Sequence, residues 1–215
     1  MLTVRQFCFN PLSENTYLLH NEAGDAIIID PGCYSELEEK QLVDFMQQQH
    51  LTPKFLLNTH CHLDHVFGNR FVYEKWNLVP YIHPNEQLVH DRAEEAGKRW
   101  NLPFRKYDGL FQYIREGDRI GLPGDELIVI EAPGHSPGHV CFYKPDQHFL
   151  IGGDVLFRRS IGRTDLPGGN HQQLLNSIRQ QLFTLPPETK VYPGHMDTTT
   201  IGEEIKHNPF LAGQD

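Results

Sequence analysis

The stretch that decides the fold reads Thr59-His60-Cys61-His62-Leu63-Asp64-His65-Val66-Phe67-Gly68-Asn69. It follows the apolar run 55–57, which is typical of a buried strand, so we expect the cluster on the turn at that strand's C-terminal end, where α/β folds place their chemistry. His60 and His62 are two residues apart, and on an extended backbone their rings project to the same side. Asp64 and His65 follow after the chain bends. One segment thus offers two ligands to one metal ion and two to a second.

Histidine and carboxylate are the ligands that suit zinc and related divalent ions. A solvated, histidine-rich turn is the alternative, and it is common for single histidines. Four metal-competent side chains within six positions favour a metal site instead.

Three later fragments place further ligands after strands or in turns. Residues 132–139 carry His135 in a glycine- and proline-rich turn, residues 150–154 end on Asp154, and residues 191–195 end on His195. Each fragment alone is weak, because Gly-His after a strand usually marks only a turn. Their joint occurrence after His-x-His-x-Asp-His is specific. With these motifs the chain resembles the metallo-β-lactamase-fold hydrolases, most closely their glyoxalase II-like (hydroxyacylglutathione hydrolase-like) single-domain branch, over nearly its whole length.

The resemblance implies a four-layer αββα sandwich of two mixed β-sheets flanked by helices, formed by one domain over residues 1–215. Periodicity alone supports only an α/β chain of one domain. The expected strands are 2–9, 15–20, 26–30, 55–57, 79–83, 127–131, 140–143 and 149–151. The expected helices are 36–49 behind a Ser35-x-x-Glu38 capping box, 66–76, a polar segment 84–100, 170–183 and 201–206. Residues 101–114 are predicted to be either a lid or a surface loop with buried aromatics.

The resemblance also implies a dinuclear metal site. Its first ion would be bound by His60, His62 and His135, its second by Asp64, His65 and His195, and Asp154 would bridge the two. Zinc is the expected metal, with iron or manganese as alternatives, and two such ions would supply a bound hydroxide as nucleophile. Asp64 and Asp154 are therefore the candidate catalytic residues, and Asp64 would also orient water. Asp30, in an Asp-Pro-Gly turn, is expected to support the site without binding metal.

Other residues near the motifs receive less specific interpretations. Cys61 alternates with two ligands, so its thiol is predicted to be buried in the fold. His139 has no place in the seven-ligand scheme and is expected to support or pack against the site. Arg158, Arg159 and Arg163 are expected at the mouth, where arginine suits a substrate carboxylate. For Arg163 a pair with Asp165 is the preferred interpretation.

Composition excludes several classes of protein. The 215 residues carry a formal net charge of −9 and no basic run, which disfavours a nucleic-acid partner. The four cysteines form no CxxC motif, so we expect no disulfide framework and a reducing compartment. Neither a signal-peptide pattern nor an apolar stretch of membrane-spanning length occurs. A cytoplasmic protein acting on a small molecule, without membrane or nucleic acid, is the resulting expectation.

The leading functional hypothesis is a metal-dependent hydrolase acting on a thioester or a related acyl compound. The alternative is a mononuclear iron persulfide dioxygenase of the same superfamily, using two histidines and one carboxylate. Asp154 stands where the common zinc β-lactamases carry cysteine, which argues against that activity. RNA processing and a non-catalytic metal module are the remaining hypotheses. Full-length glyoxalase II has a C-terminal helical region for glutathione, and the chain ends soon after His195, so glutathione recognition is an open expectation.

Overall fold

The computed structural model describes residues 1–211, and two mixed β-sheets form its centre. The first sheet contains, in order, β1 (Thr3–Phe9), β2 (Glu14–His20), β3 (Asp25–Ile29), β4 (Thr52–Leu57), β5 (Pro80–Ile82) and β6 (Gln112–Tyr113). Strands β1 to β3 pair antiparallel, and β3 to β6 pair parallel. The parallel half therefore carries its C-terminal strand ends along one edge, as the motif analysis requires.

The second sheet begins with β7 (Arg119–Leu122), β8 (Asp125–Glu131), β9 (Val140–Lys144) and β10 (Phe149–Gly153). A short ribbon of β11 (Leu156–Phe157) and β12 (Ser160–Ile161) follows, and β13 (Lys190–Pro193) and β14 (Thr199–Thr200) complete the sheet. Its strand order is β14-β13-β10-β9-β8-β7, with β10 and β13 parallel and the other pairs antiparallel.

The helices are α1 (Glu36–Gln48), α2 (Leu63–Val66), α3 (Asn69–Trp76), α4 (Gln87–Asp91), α5 (Ala93–Arg99), α6 (His171–Gln180) and α7 (Ile201–His207). The predicted capping box opens α1: Ser35 Oγ accepts from the Glu38 amide, and the Glu38 carboxylate accepts from the Ser35 amide. Within residues 1–211, no helix is long and apolar enough to cross a bilayer.

Three apolar clusters define the layers. One lies between the sheets and includes Tyr17 and Ile29 from the first sheet with Val129 and Phe142 from the second. A second packs the outer face of the first sheet on Leu42 and Met46 of α1 and Val72 of α3, and a third packs the second sheet on α6 and α7. Burial of these side chains drives the assembly. The result is the expected four-layer order of helix, sheet, sheet and helix.

The structure corrects several predicted boundaries. The predicted helix 66–76 is split into α2 and α3 around Gly68, whose amide donates to the Pro31 carbonyl at 2.7 Å. A Cβ on Gly68 would lie 2.4 Å from the Cys33 sulfur, so this close approach needs glycine. The predicted helix 84–100 begins as a 3-10 turn and then breaks at Arg92 into α4 and α5. Strand β7 was not predicted.

Residues 101–114 prove to be a packed connection, the second of the two predicted alternatives. The Phe104 ring meets the Phe67 ring edge-on at 4.7 Å, and Tyr107 is 2% exposed. Phe104 and Phe111 of this segment pack against a small apolar cluster that includes Cys61 and Ile82. The segment therefore contributes core and not a lid.

Candidate metal centre

The candidate ligands follow the ends of strands from both sheets. His60, His62, Asp64 and His65 come after β4 in the first sheet. His135 lies in the β8–β9 turn, Asp154 follows β10, and His195 follows β13, all in the second sheet. An isolated antiparallel bridge joins Glu14 to His195, and the Tyr17 hydroxyl donates to the Pro193 carbonyl at 2.6 Å. The two sheets thus meet along the edge where the ligands gather.

Three imidazole nitrogens converge in the first half of the centre. His135 Nε2 lies 2.8 Å from His62 Nδ1 and 3.2 Å from His60 Nε2. His60, His62 and His135 form a group whose ligand atoms all lie within 4.8 Å of one another. Three nitrogens from two loops aimed at one point match the ligand set of a divalent ion.

The second half is formed by Asp64, His65 and His195, whose ligand atoms also lie within 4.8 Å of one another. Asp64 Oδ2 is 3.2 Å from His195 Nε2 and 3.8 Å from His65 Nε2. Asp154 stands between the halves: Oδ1 is 3.5 Å from His65 Nε2, and Oδ2 is 3.5 Å from His135 Nε2. Its carboxylate is therefore placed to contact an ion in either half.

Hydrogen bonds to Nδ1 fix which nitrogen of three histidines faces the centre. Asp30 Oδ2 lies 3.1 Å from Nδ1 of His65, the Arg163 carbonyl 2.7 Å from that of His135, and the Ser13 carbonyl 3.2 Å from that of His195. When Nδ1 donates to such an oxygen, Nε2 keeps its lone pair for a metal. Asp30 also accepts from the amide and hydroxyl of Thr59, so it supports the site as expected. A third possible ligand group, Asp30 with His60 and His65, is thus already satisfied by hydrogen bonds.

The electrostatics of the residues suit divalent cations. Burial lowers the pKa of His60 and His135, and it lowers the pKa of His62 to about 3, so these three rings stay neutral. Burial would raise the pKa of Asp154, but His65 and His195 outweigh it, and the carboxylate stays ionised. His65 Nε2 and Asp154 Oδ1 are buried and have no hydrogen-bond partner within residues 1–211. Burial would lower the pKa of His65 and His195, but Asp154 and Asp64 outweigh it and raise both, so a bound ion would displace a proton from these two rings. Three neutral imidazoles, two ionised carboxylates and orphaned buried atoms form a donor set that suits divalent ions.

Two supporting residues lie beneath the ligands. His139 Nε2 accepts from the Asp154 amide at 3.0 Å, and its ring stacks on His60 at 4.7 Å, as expected for a support. Glu86 is fully buried, and its carboxylate accepts from the Cys61 amide at 2.8 Å, the Gly138 amide at 2.7 Å and the Ser136 hydroxyl. It therefore links the loop of His60 and His62 to the loop of His135. The Cys61 thiol is buried, as predicted.

The centre forms the floor of a cavity of about 1030 Å³. Its walls come from α4 and α5 on one side and from residues 166–168 and Met196 on the other. Arg163 lines the cavity, and it forms the predicted pair with Asp165 through contacts of 2.7 and 2.8 Å. Arg92 and Arg99 of the helical wall also line it, and neither was predicted.

Arg158 and Arg159 were expected at the mouth, and the structure does not bring them into the cavity lining in the part of the chain that it describes. Arg159 has a left-handed backbone (φ 62°), and its guanidinium contacts Glu203 and the His207 carbonyl on α7. The Arg158 guanidinium instead lies 3.9 Å from Asp197.

The fold and centre define a class, and comparison with known proteins agrees. The Metallo-beta-lactamase superfamily model matches residues 9–195, and the chain belongs to this family. By class it is a metal-dependent hydrolase. Hydroxyacylglutathione hydrolase GloC of Haemophilus influenzae is 34% identical over 206 residues, which cover 92% of this chain and 92% of GloC.

Two solved structures are similar along the whole chain. The crystal structure of BLEG-1 B3 metallo-beta-lactamase is 35% identical with a TM-score of 0.90, covering 98% of this chain and 100% of that one. TTHA1623, solved in a di-iron-bound form, is 39% identical with a TM-score of 0.87, covering 96% of this chain and 100% of that one. These similarities agree with the αββα fold, and the TTHA1623 structure shows that a relative at this identity binds two iron ions.

Proposed function

We propose that the protein hydrolyses thioesters of the hydroxyacylglutathione type with two divalent metal ions, zinc first and iron or manganese as alternatives. The observation that carries the proposal is the pair of three-ligand groups joined by Asp154 on the floor of a large cavity. The 34% identity to GloC over nearly the whole chain supports the thioester class. A cytoplasmic location, a single domain and a small-molecule substrate without nucleic acid or membrane are part of the same proposal.

The reaction adds water to the thioester carbonyl carbon, breaks the C–S bond and releases a carboxylate, a thiol and one proton. When bound, the metal ions would lower the pKa of water and polarise the carbonyl. The chain's residues set the geometry. His60, His62 and His135 would hold one ion, Asp64, His65 and His195 the other.

Asp64 has a second task, because it also lines the cavity. Burial would raise its pKa, but His65 and His195 outweigh this and lower it, so the carboxylate stays ionised. An ionised oxygen at the floor accepts a hydrogen bond from water and turns the water lone pair towards a carbonyl above it. Asp154, ionised in the same way, fixes the spacing of the two halves.

Metal content and turnover together test the proposal. Protein purified from metal-supplemented medium should hold about two metal ions per chain and hydrolyse S-D-lactoylglutathione. Asp154→Ala should lose metal and activity together, since it contacts both halves. Asp64→Asn should reduce kcat by at least about 100-fold. Asp165, which pairs with Arg163 outside the candidate ligand set, supplies the control: Asp165→Asn should leave metal content unchanged. One ion per chain, unaffected by His195→Ala, would remove the two-metal arrangement.

β-Lactam hydrolysis is a second candidate, favoured by the similarity to BLEG-1 B3 metallo-beta-lactamase. Both reactions attack a carbonyl over the same floor, and Asp154, which stands where the common zinc β-lactamases carry cysteine, favours the thioester. A chromogenic cephalosporin assayed beside the thioester separates the two reactions. We expect the thioester to have the higher kcat/KM, and the reverse order would replace our proposal.

The dioxygenase alternative makes a different use of the site. It would depend on His60, His135 and Asp154 and would leave His62 unused. His62 Nδ1, however, lies 2.8 Å from His135 Nε2, closer than His60 Nε2 at 3.2 Å. The gathering of His62, Asp64 and His195 favours the two-ion arrangement. Oxygen uptake with glutathione persulfide, measured on iron-loaded protein, separates the reactions: uptake without thioester cleavage would overturn the hydrolase.

A further inference from the structure

One wall of the cavity is formed by residues of α4 and α5 and is largely apolar. Its lining residues are Leu88 and Val89 of α4, Ala93, Glu95, Ala96 and Arg99 of α5, and the residues that flank α5, Arg92 and Trp100. The apolar residues Ala93, Ala96 and Trp100 recur at helical spacing. Residues spaced by three and four positions share one side of a helix. Leu88 is 58% exposed and Trp100 46% exposed, although both are large and apolar. Apolar surface kept open at the edge of a cavity is typical of a ligand-binding wall.

The cavity is larger than a small hydroxyacyl group requires. At about 1030 Å³ it stands at the upper end of the roughly 300–1,000 Å³ typical of pockets for drug-sized ligands. Leu63, Phe157 and Pro167 continue the apolar lining from the metal centre to the opposite side. A flexible apolar chain attached to the reacting carbonyl can therefore lie against this lining, which stabilises it by up to about 0.8 kcal/mol for each methylene removed from water.

Of the three arginines that line the cavity in the described part of the chain, two are paired with carboxylates and one is not. Arg99 pairs with Glu95, and Arg163 pairs with Asp165 while its guanidinium lies 5.9 Å from the Trp100 ring centroid. Arg92 has no side-chain hydrogen bond or ion pair within residues 1–211, although it lines the cavity of a protein with net charge −9. An unpaired guanidinium beside an apolar wall suits a carboxylate or phosphate of the ligand.

We propose that the preferred substrates are thioesters with an apolar acyl chain, several carbons longer than lactoyl, and an anionic group on the thiol arm. The acyl chain lies against the α4–α5 wall, and the anion pairs with Arg92. Arg92 lies at the junction of α4 and α5, and the acyl chain lies on the apolar side chains to either side of it. The charge is assigned to the thiol arm because an anion within the acyl chain would lose its water against those apolar side chains. The substrate class rests on the thioester function proposed above, whereas the binding mode does not.

Kinetics with a grid of substrates tests the substrate class. Acetyl, butanoyl, hexanoyl and octanoyl thioesters of neutral N-acetylcysteamine and of anionic 3-mercaptopropionate vary the two arms independently. We expect kcat/KM to rise at least tenfold from acetyl to octanoyl and to be higher for the anionic thiol. Ala96→Phe should lower the octanoyl-to-acetyl ratio. The succinyl thioester of octanethiol reverses the two arms, with the anion on the acyl side and the apolar chain on the thiol side. Rates independent of chain length, or a preference for this reversed thioester, would overturn the assignment.

Arg92→Gln should lower kcat/KM for the anionic series about tenfold and leave the neutral series less affected, as expected for a lost charge-assisted contact. Lys98→Gln is the matched control: it removes the same charge from α5 at a position outside the lining, and both series should stay within twofold of the wild type. Equal losses in both series for Arg92→Gln would show that Arg92 does not recognise the anion.

Binding of uncleavable analogues separates this inference from the proposed function. The octyl thioether of 3-mercaptopropionate should bind the metal-loaded protein more tightly than the octyl thioether of N-acetylcysteamine, by calorimetry, and Arg92→Gln should abolish the difference. Binding of the octyl thioether should also shift the fluorescence emission of Trp100 to shorter wavelength, because the chain removes water from the ring, and Trp100→Phe should remove this response. If these thioethers bind as expected while no thioester is cleaved, the hydrolase proposal fails and the binding mode stands. If thioesters are cleaved but neither thioether binds, the binding mode fails.

Discussion

Glu86 shows how one buried carboxylate joins two ligand loops. Its three donors are the Cys61 amide, the Gly138 amide and the Ser136 hydroxyl, which lie 25, 52 and 50 residues away in sequence. No motif marks Glu86, because its partners meet only after the fold has formed. The seven candidate ligand positions were predicted through the family resemblance, because metal chemistry restricts the residue types that such positions can carry. A support that needs only an acceptor leaves no such pattern.

Glu86→Ala should weaken metal binding by about 10- to 100-fold, as for other residues that orient ligands. The amides of Cys61 and Gly138 would lose their acceptor, and both ligand loops would loosen. Competition with a chromogenic chelator measures the affinity, and circular dichroism checks that the fold persists. Asp91→Ala, an exposed carboxylate on the adjacent α4, should have no effect. An unchanged affinity in Glu86→Ala would mean that backbone packing alone holds the loops.

Within a single element, the short helices depart most from the sequence-based expectations. Periodicity predicted continuous helices over 66–76 and 84–100, yet both are interrupted. The first interruption depends on the approach of Gly68 to Pro31, which is a tertiary contact and invisible in local pattern. Long amphipathic segments such as α1 and α6 were predicted well because their buried faces repeat regularly. Short β7 has too few residues to show a period.

Helix α4 carries a buried histidine with a measurable acid response. His90 is 1% exposed, neither ring nitrogen has a hydrogen-bond partner within residues 1–211, and its ring meets Phe111 edge-on at 4.7 Å. Burial, assisted by Lys106 and opposed by Asp91 and Glu94, lowers its pKa to about 4. The unfolded chain, with a pKa of about 6.5, then binds the proton more readily.

Stability contributed by neutral His90 is therefore present above about pH 6.5 and is lost as the pH falls to about 4, by up to about 3 kcal/mol. His90→Leu should remove this contribution and be relatively more stable at pH 5 than at pH 8. Urea unfolding of both proteins across that range measures the difference, and His171→Leu, at the exposed start of α6, is the control. A stability difference between wild type and His90→Leu that does not change with pH would contradict the assignment.

At the scale of the whole molecule, the centre lies where two sheets meet. Four candidate ligands come from the first sheet and three from the second, and the Glu14–His195 bridge closes the edge between them. The αββα order and the ligand positions were predicted through the family resemblance. The residues that form the cavity walls were not predicted from the sequence, because the shape of the walls depends on how α4 and α5 pack against residues 61–66.

Removing metal should therefore loosen the contact between the sheets. At metal concentrations about 1,000 times the dissociation constant, binding adds about 4 kcal/mol to the free energy of unfolding. Dialysis against a chelator should lower the melting temperature, and zinc should restore it. Asp154→Ala, which should not hold the ions, should show no response to the chelator. Equal melting temperatures for treated and untreated wild type would mean that metal binding does not stabilise the fold.

Helices α4 and α5 lie between β5 and β6, the edge strand of the first sheet, in the sequence. They carry none of the seven candidate ligands. The wall proposed to hold the acyl chain and the candidate ligands therefore occupy separate stretches of the sequence, although Phe157 and residues 166–168 also line the cavity. Replacing residues 87–111 with the corresponding stretch of a relative should exchange substrate preference while the reaction is inherited unchanged. Glu86 immediately precedes the replaced residues 87–111. A graft that starts at residue 87 therefore keeps the hydrogen bonds from Glu86 to the two loops that carry candidate ligands. Substrate preference can then be varied in one stretch of the chain while the candidate ligands stay unchanged, and laboratory evolution of new specificities can begin there.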